Sequence, residues 1–222
     1  SNIGKKLSNK TKKKLSKNMK YTKYSVVLPV LNGEETLKVI LPYMLAIDRD
    51  DVEWVISNNV SEDKTKELVL SFKDKRVRLV EPKARMPLGK HLEFAYLHAR
   101  GKWQGHLGDD DLIFSKRFNV LDEVIKKTKC QLIRTDYARY TWPDYPVKPY
   151  ANVVDKNWFS GVIYKYSGID FFKKMLNQNI VYGGGAWLVS QKIIDNIRNR
   201  CGFFASYEHV EFFAMRAAAV LS

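Results

Sequence analysis

The chain has 222 residues, of which 45% are hydrophobic and 13% aromatic, a composition typical of a soluble globular protein with a sizeable core. No apolar run reaches the roughly 18 residues of a membrane span, and no apolar signal segment is found at the start. The two cysteines, Cys130 and Cys201, make no disulfide framework and no metal-ligand spacing. We therefore expect a cytoplasmic protein with reduced thiols.

The net charge of +14 is unevenly placed, because residues 1–23 contain nine lysines and no acidic residue. This run predicts a basic, disordered N-terminal arm rather than part of the fold. The arm could be a solvated tail, or it could bind an anionic membrane surface at the inner face of the membrane. Binding to nucleic acid is the least favoured of the three interpretations.

From residue 24 onward, short apolar runs alternate with helical segments and turn signals. The predicted strands are YSVVLPVL (24–31), VEWVIS (52–57), VRLVEP (77–82) and KWQGHL (102–107). The predicted helices are ETLKVILPYMLA (35–46), residues 65–72 and LGKHLEFAYLHA (88–99). In the last helix, one face is expected to hold Leu88, Leu92, Ala95 and Ala99, and Gly101 is expected to end it. The alternation predicts an α/β domain with a mainly parallel sheet flanked by helices.

Polar turns follow three of these strands, namely LNGEE (31–35), NNVSED (58–63) and GDDD (108–111). Parallel sheets bind ligands beyond the carboxyl ends of their strands, which is where all three turns fall. Three adjacent carboxylates repel one another, so a solvated acidic turn is one interpretation of GDDD. A site for a hard cation is the other, since Mg²⁺, Mn²⁺ and Ca²⁺ require oxygen ligands. The clustering of the turns favours the second interpretation.

The stretches SVVLPVLNGEETL, EWVISNNVSEDKT and AYLHARGKWQGHLGDDD resemble, in order and spacing, the nucleotide-binding segments of family 2 glycosyltransferases with the GT-A fold. The resemblance covers Ser25 to Ile113 and extends more loosely over residues 160–217. It implies a Rossmann-like nucleotide-sugar-binding half over residues 24–115 and an acceptor-binding half over residues 116–222. Relatives commonly continue further, so we expect that a C-terminal portion is absent from this sequence.

The resemblance also implies an activity. It implies a metal-dependent, inverting glycosyltransferase that moves a sugar from a nucleotide-diphosphate donor, with UDP favoured, to a glycan or lipid-linked acceptor. The implied setting is the synthesis of surface polysaccharide, such as lipopolysaccharide, and the implied cofactor is Mn²⁺ or Mg²⁺. The cation would neutralise the charge that develops on the leaving diphosphate.

The aspartates of GDDD can be assigned in two registers. In the family pattern the first acidic position is Gly108, which makes Asp110 the metal ligand and places Asp109 near the ribose. If the turn is instead read as a D-x-D pattern, the two metal ligands are Asp109 and Asp111. We favour Asp110 with help from Asp111, and the register stays open.

The resemblance assigns the nucleoside and the diphosphate to the other two segments. The base would be cradled by Pro29, Val30 and Leu31, with Glu34 nearby. Where the family usually has an aspartate, this chain has Asn58 and Asn59, whose amide oxygens can accept a base N–H without a charge. A turn-forming role is the alternative for this pair. The cationic residues that could bind the diphosphate are Arg85 and Lys90. The alternative interpretation is that these two residues are ordinary exposed charges in a loop.

The resemblance places the general base in SYEHVEFFAMRAA (206–218), near the start of a helix. Glu208 matches the family's glutamate, and His209 stands where an aspartate is expected. Histidine can act as a base near neutral pH, and Glu211 shares a helical face with Glu208. His209 is slightly favoured, while Glu208 and Glu211 remain candidates. An ordinary helix start with acidic residues is the alternative.

The stretch between the acidic turn and the base segment is rich in aromatic residues that suit sugar rings, with Trp142, Tyr145 and Trp158 as candidates. The glycines of YGGGAW (182–187) allow close approach of a ligand or a tight bend. Two other classes of function stay open: a catalytically silent or non-enzymatic binding module that uses the basic arm, and a sugar-1-phosphate nucleotidyltransferase. The second is less favoured, because PVLNGEE is not a glycine-rich loop with a basic residue.

Overall fold

The computed structural model describes residues 22–135, 137–155, 163–177, 187–205 and 210–221. The strands are β1 (Tyr24–Val30), β2 (Val52–Asn58), β3 (Val77–Val80), β4 (Trp103–His106), β5 (Leu132–Arg134), β6 (Arg139–Tyr140), β7 (Val154–Asp155) and β8 (Trp187–Ser190). The helices are α1 (Glu34–Leu45), α2 (Thr65–Ser71), α3 (Leu88–His98), α4 (Ser115–Thr128), α5 (Gly168–Asn177), α6 (Gln191–Cys201) and α7 (Val210–Leu221). Within the described ranges, every helix is too short or too polar to cross a bilayer.

Six of the strands form one sheet in the order β3-β2-β1-β4-β8-β5. β1 pairs in parallel with β2 and β4, and β2 pairs in parallel with β3. β8 runs antiparallel to both β4 and β5. The prediction of an α/β fold with a mainly parallel sheet is confirmed. The sheet also takes in β5 and β8, which come from the half of the chain assigned to the acceptor.

The sheet is covered on both faces, because successive side chains of a strand point to opposite sides. In β1, Val26 and Leu28 face a core that includes Trp54 of β2 and Phe118 of α4. Val27 faces the opposite core, which is built from apolar residues of α3, α5, α6 and α7. Burial on both faces explains why β1 is a continuous apolar run and not an alternating one.

The buried residues of helix α3 differ in part from the apolar face that the sequence predicted. Leu92 and Ala95 are buried as expected, but Leu88, at the first position, is 62% exposed. The helix ends at His98, three residues before Gly101. Gly101 instead allows close packing on β1, since a Cβ at this position would lie 2.5 Å from the backbone nitrogen of Ser25. The expectation that Gly101 ends the helix was therefore wrong.

A charged network joins α4 to the amino ends of the strands. Asp122 accepts hydrogen bonds from Tyr24 Oη (2.6 Å), from Arg49 (2.8 Å) and from Lys23. Burial alone would raise the pKa of Asp122, but these donors outweigh it and lower that pKa to about 2. Lys23, which the sequence analysis placed at the end of the basic arm, is thus tied to the fold.

Candidate functional site

The loops that follow β1 and β2 lie side by side at the carboxyl edge of the sheet, and hydrogen bonds run between them in both directions. The first loop donates from Asn32 N–H to Ser61 Oγ, from Gly33 N–H to Thr65 Oγ1 and from Glu34 N–H to Asp63, each at 2.9 Å. The second loop donates from Glu62 N–H to Asn32 (2.9 Å) and from Lys64 N–H to Glu34 (3.2 Å). The two loops therefore form one connected surface.

Glu34, predicted to lie near the base, is part of this connection. Its carboxylate accepts the Lys64 N–H and pairs with Lys38 at 3.1 Å. The hydrogen bonds from Lys38 and from the Lys64 backbone lower the pKa of Glu34. The side chain therefore bridges the two loops as a carboxylate.

The predicted base cradle lies where β1 ends. Pro29 is half-buried and Val30 is buried, and the carbonyl of Val30 accepts the N–H of Asn59 at 2.8 Å. Leu31, the next residue, is 43% exposed. Leu31 is thus the member of this trio whose side chain is most accessible to a ligand.

Asn58 and Asn59 are buried, and their amide groups are engaged with protein atoms. Asn58 donates to Glu81 (2.6 Å) and accepts the N–H of Ser61 (3.2 Å). Asn59 donates to the carbonyl of Met86 (2.8 Å) and accepts its N–H (2.9 Å). The pair thus fixes the segment from Glu81 to Met86 against the end of β2. This supporting role agrees with the turn-forming alternative.

The two predicted cations lie on the segment that Asn59 fixes and on the helix after it. Arg85 is exposed and donates to Glu62 (2.9 Å) and to the carbonyl of Val60 (3.3 Å). Lys90 is exposed in the first turn of α3, a turn that has no acidic residue and no side-chain cap among the described contacts. A helix N-terminus with a lysine in its first turn favours an anionic ligand.

The acidic turn places its three carboxylates in different surroundings. Asp109 is half-buried, and its Oδ2 lies beside Gly33, where a Cβ would be 3.1 Å from it. Asp110 is exposed. Asp111 is also exposed, but it accepts the N–H of Gly108 at 3.0 Å. Asp109 therefore connects the acidic turn with the loop after β1.

Gly108 gives these carboxylates room. A Cβ at this position would lie 2.7 Å from Asp110 Oδ1 and 3.2 Å from Asp111 Oδ2. Both carboxylates therefore fold back over the Gly108 backbone. Where the family pattern has an acidic side chain, the Asp110 and Asp111 carboxylates take up the space in this chain.

Burial and charge separate the three aspartates further. Burial, and then the charge of Asp110, raise the pKa of Asp109. Arg117, in the first turn of α4, interacts with Asp111, and burial lowers the pKa of the Arg117 guanidinium to about 10. Its Nε is buried without a hydrogen-bond partner in the described part of the chain. Asp111 is thus held by a hydrogen bond from Gly108 and by the charge of Arg117, whereas Asp110 is an exposed residue over the Gly108 backbone.

The carboxylates of the acidic turn fit a cation that is shared with a bound ligand better than a cation that is held by protein alone. Across the described residues, no three Asp, Glu, His or Cys side chains converge as a ready metal site. Mg²⁺ is usually bound through one or two carboxylates together with water and substrate phosphates. The exposed Asp110 beside Asp109 fits that mode of binding.

Two buried polar pairs that sequence reasoning missed connect α3 to the strand ends. His91 Nε2 lies 2.8 Å from Ser57 Oγ in β2, and Tyr96 Oη lies 3.0 Å from His106 Nδ1 in β4. All four side chains are buried. The available signal was a histidine and a tyrosine directly beside Leu92 and Ala95, two residues of the predicted apolar face of the helix. Helix α3 therefore supports both the loop after β2 and the strand that leads into the acidic turn.

The buried imidazole of His91 makes stability depend on pH. Burial lowers the pKa of His91 from 6.5 to about 4. The unfolded chain binds more protons between these values, so the free energy of unfolding is at its full value above about pH 6.5 and falls as the pH drops toward 4. His91→Gln can still hydrogen-bond Ser57 but does not titrate, so its stability should fall less over this range. Thermal unfolding of both proteins from pH 7 to pH 4 measures this, and equal slopes would contradict it.

Part of the predicted acceptor side lies outside the described residues. This applies to Glu208, His209, Trp158 and residues 182–186, and to the side chain of Glu211, although the backbone of Glu211 belongs to α7. Trp142 is half-buried and Tyr145 exposed, in a turn where the Tyr145 N–H donates to the Trp142 carbonyl at 3.0 Å. These two aromatic candidates therefore lie close together.

A family model covers the part of the chain that holds the loops at the carboxyl edge of the sheet. The family model described as glycosyl transferase family 2 matches residues 25–198. This range includes the loops after β1 and β2, the acidic turn and α6 up to Arg198. The chain belongs to glycosyl transferase family 2. The recognition made from the three sequence segments is thus confirmed.

This family 2 chain is similar to several proteins with which it shares little sequence identity. It is 26% identical over 107 residues to an uncharacterized glycosyltransferase of Rickettsia typhi, a match that covers 46% of this chain and 33% of that protein. Its structure is similar to that of TarS from S. aureus, with a TM-score of 0.61, 17% identity and coverage of 89% of this chain and 55% of that one. It is also similar to the mannosyltransferase PcManGT from Pyrobaculum calidifontis, with a TM-score of 0.55, 16% identity and coverage of 84% and 48%.

These likenesses show that this family 2 chain has the predicted GT-A fold. The chain spans about half the length of these solved structures and a third of the relative from Rickettsia typhi. TarS has been solved in complex with UDP-GlcNAc and with UDP, and PcManGT in complex with GDP-Man and Mn²⁺.

Proposed function

We propose that this chain is the donor-binding and catalytic part of a glycosyltransferase that uses a nucleotide-diphosphate sugar, with UDP as the favoured nucleotide. The proposal rests on one observation above all. An exposed carboxylate, Asp110, lies in a turn whose Asp109 reaches the loop after β1, in a chain of family 2. The complexes of the solved relatives with UDP-GlcNAc and GDP-Man support a donor of this class.

The donor would lie along the carboxyl edge of the sheet. The nucleoside would rest on Pro29, Val30 and Leu31, with Asn58 and Asn59 supporting the loops from beneath. Asp109 would lie on the ribose side, because it is the aspartate that reaches Gly33. Arg85 and Lys90, with the first turn of α3, would attract the diphosphate.

Mn²⁺ or Mg²⁺ would be held by Asp110, with the donor phosphates completing the coordination. When bound, the cation would neutralise the charge that develops on the departing diphosphate. Asp111, engaged by the Gly108 N–H and by Arg117, would shape the turn rather than bind the cation directly. Asp111 therefore helps Asp110 by holding the turn that presents it.

The transfer step needs a base on the acceptor side, and we propose an inverting displacement. The acceptor hydroxyl would attack the anomeric carbon as its proton passes to a base, His209 by preference, or Glu208 or Glu211. The new bond joins the acceptor oxygen to the anomeric carbon, and the bond from that carbon to the diphosphate breaks. The nucleotide diphosphate leaves from the opposite side. A glycan or lipid-linked acceptor in surface polysaccharide synthesis fits the family.

A screen of nucleotide-diphosphate sugars by thermal shift, with and without Mn²⁺, tests this proposal. A ligand that binds only the folded chain at about 100 times its Kd adds about 2.7 kcal/mol to the free energy of unfolding. We expect a UDP-sugar to give the largest shift and Mn²⁺ to increase it. Donor binding without transfer or donor hydrolysis would favour a catalytically silent homologue. No shift with any nucleotide would contradict the proposal.

We further propose that the basic arm binds an anionic membrane surface, as its lysine content predicts. Each lysine near such a surface adds on the order of 1 kcal/mol, which salt screens. Liposome sedimentation is therefore expected to show salt-sensitive binding to anionic vesicles that is lost on deletion of residues 1–21. Equal binding to neutral and anionic vesicles would refute this. If the arm binds nucleic acid and not anionic vesicles, nucleic acid is its partner instead.

A further inference from the structure

Four aromatic rings form a continuous row from the sheet to the protein surface. Trp187 of β8 meets Phe171 of α5 edge-on, with ring centroids 6.0 Å apart. Phe171 stacks on Tyr166 at 5.9 Å, and Tyr166 stacks on Tyr164 at 6.3 Å. The exposed fraction rises along this aromatic row, from 2% at Trp187 to 39% at Tyr166 and 65% at Tyr164. The row is therefore fixed at its buried end and open to a ligand at its outer end.

The buried end of the aromatic row lies beside the strand that leads into the acidic turn. β8 runs antiparallel to β4, so its first residue, Trp187, lies at the edge of the sheet where β4 ends. The two backbones are in close contact, since a Cβ at Gly105 of β4 would collide with the Trp187 carbonyl. Gly105 precedes Gly108 by three residues. The aromatic row therefore starts at the same edge of the sheet as the proposed donor site.

Two cations lie over rings of the aromatic row. Lys174 Nζ of α5 is 5.5 Å from the centre of the Tyr166 ring. The guanidinium of Arg134, the last residue of β5, is 6.0 Å from the centre of the Trp187 ring. Both distances are those of cation–π contacts. The row therefore has positive charge at its buried end and near its outer end.

The surface around the outer end is also positively charged. Residues 163–177 contain three lysines and one acidic residue. Lys165, which separates the two tyrosines in the sequence, and Lys173 are exposed. The single acid, Asp170, accepts the hydroxyl of Ser167 at 2.6 Å. An anionic ligand would thus meet exposed ammonium groups beside the two accessible rings.

This combination of groups fits a sugar chain that carries negative charge. An aromatic face offers apolar contact to the flat side of a sugar ring, and a tyrosine adds a hydroxyl that can hydrogen-bond a sugar oxygen. Lysine ammonium groups form charge-assisted hydrogen bonds with carboxylates and phosphates. A contiguous exposed apolar surface marks a place where a folded protein binds a partner.

We propose that the aromatic row binds the acceptor, and that the acceptor is a glycan with carboxylate or phosphate groups. One sugar ring would stack on Tyr164 or Tyr166, and Lys165 and Lys174 would hold its negative groups. The glycan would then extend along the row toward the edge of the sheet where the acidic turn lies. The role of this glycan as the acceptor rests on the proposed function, whereas its binding to the row does not.

NMR titration of the 222-residue chain with three hexasaccharides tests the proposal. The anionic probes are hexagalacturonate and a heparin-derived hexasaccharide, and cellohexaose is the neutral one. We expect the anionic probes to bind more tightly than cellohexaose and added salt to weaken them. Tyr164→Ala is expected to raise their Kd about 5- to 10-fold, because one ring face is lost. The Tm should hardly change, since the Tyr164 side chain is mostly exposed.

Tyr43→Ala is the matched control. Tyr43 of α1 is 66% exposed, close to the exposure of Tyr164, and it lies outside the aromatic row. Both variants keep the basic arm, which attracts any polyanion, so a difference between them reports on the row alone. We expect Tyr43→Ala to bind all three hexasaccharides as the wild type does. The Kd for UDP is expected to stay within about twofold of the wild-type value in both variants.

Failure to bind either anionic hexasaccharide, or an equal change of Kd in Tyr164→Ala and Tyr43→Ala, would overturn the proposal. Equal affinity for cellohexaose would overturn the negative charge assigned to the glycan. If Tyr164→Ala instead loses binding to anionic vesicles and keeps the hexasaccharides, the row contacts a membrane and the proposal is wrong. If the wild-type chain binds no nucleotide sugar, the proposed function fails by itself, and the hexasaccharide titration still decides whether the row binds a glycan.

Discussion

Asp110→Asn is expected to remove most of the Mn²⁺-dependent part of the affinity for UDP and to leave the fold intact. Asp110 is exposed and takes no part in core packing, so its loss should leave the Tm of the free protein within a few degrees. An asparagine keeps the size of the side chain but not the charge that a hard cation requires. We expect affinity for UDP with Mn²⁺ to fall on the order of 100-fold, equivalent to about 2.7 kcal/mol. Calorimetric titration of UDP with and without Mn²⁺ measures this.

Asp111→Asn is the matched control for the register of the turn. Its amide oxygen can still accept the Gly108 N–H, so the turn should persist, and only the charge facing Arg117 is lost. A smaller effect than in Asp110→Asn is expected. If Asp111→Asn instead abolishes the Mn²⁺ dependence and Asp110→Asn does not, Asp111 is the ligand. If neither variant changes it, the cation does not bind through this pair.

His209→Ala is expected to lower turnover by a factor of about 10² to 10⁴ with little effect on donor binding, the pattern for loss of a general base. A histidine base also predicts a loss of activity below about pH 6.5, where the imidazole becomes charged. Single-turnover rates with saturating donor, measured from pH 5 to pH 8, test both expectations.

Glu208→Gln and Glu211→Gln are the parallel variants in the same segment. An enzyme with a carboxylate base would keep its activity to lower pH. If either variant loses turnover to the same extent, and the wild-type activity does not fall below about pH 6.5, the base is that glutamate. Near-normal turnover in all three variants with the true acceptor would place the base outside this segment, and the assignment of the acceptor side would be wrong.

The strands between residues 24 and 107 could be predicted from the sequence because their signals are local. β1 and β2 are valine-rich runs closed by turn residues, and their bounds lie within one residue of the prediction. The acidic turn lies after β4, where the prediction placed it, because parallel strands end at a common edge. The exposure of Leu88 was missed, since the helical period cannot show where a helix first meets the core.

Contacts between distant parts of the chain could not be predicted. β8 enters the sheet between β4 and β5, so its neighbours are more than fifty residues away in sequence. The Glu93 carboxylate accepts the N–H of Ala205 at 2.7 Å, and only the fold brings these two residues together. Asn58 and Asn59 show a similar limit, because an amide that binds a base and an amide that supports a loop look alike in sequence.

The hydrogen bonds between the loops after β1 and β2, together with the pairing of Asn59 with Met86, hold the proposed nucleoside site in one preorganised shape. A nucleotide that enters such a site need not order these loops, so little conformational entropy is lost on binding. Changes of donor preference would then arise from side chains that project from this rigid frame, such as Leu31, while the backbone of the frame stays the same.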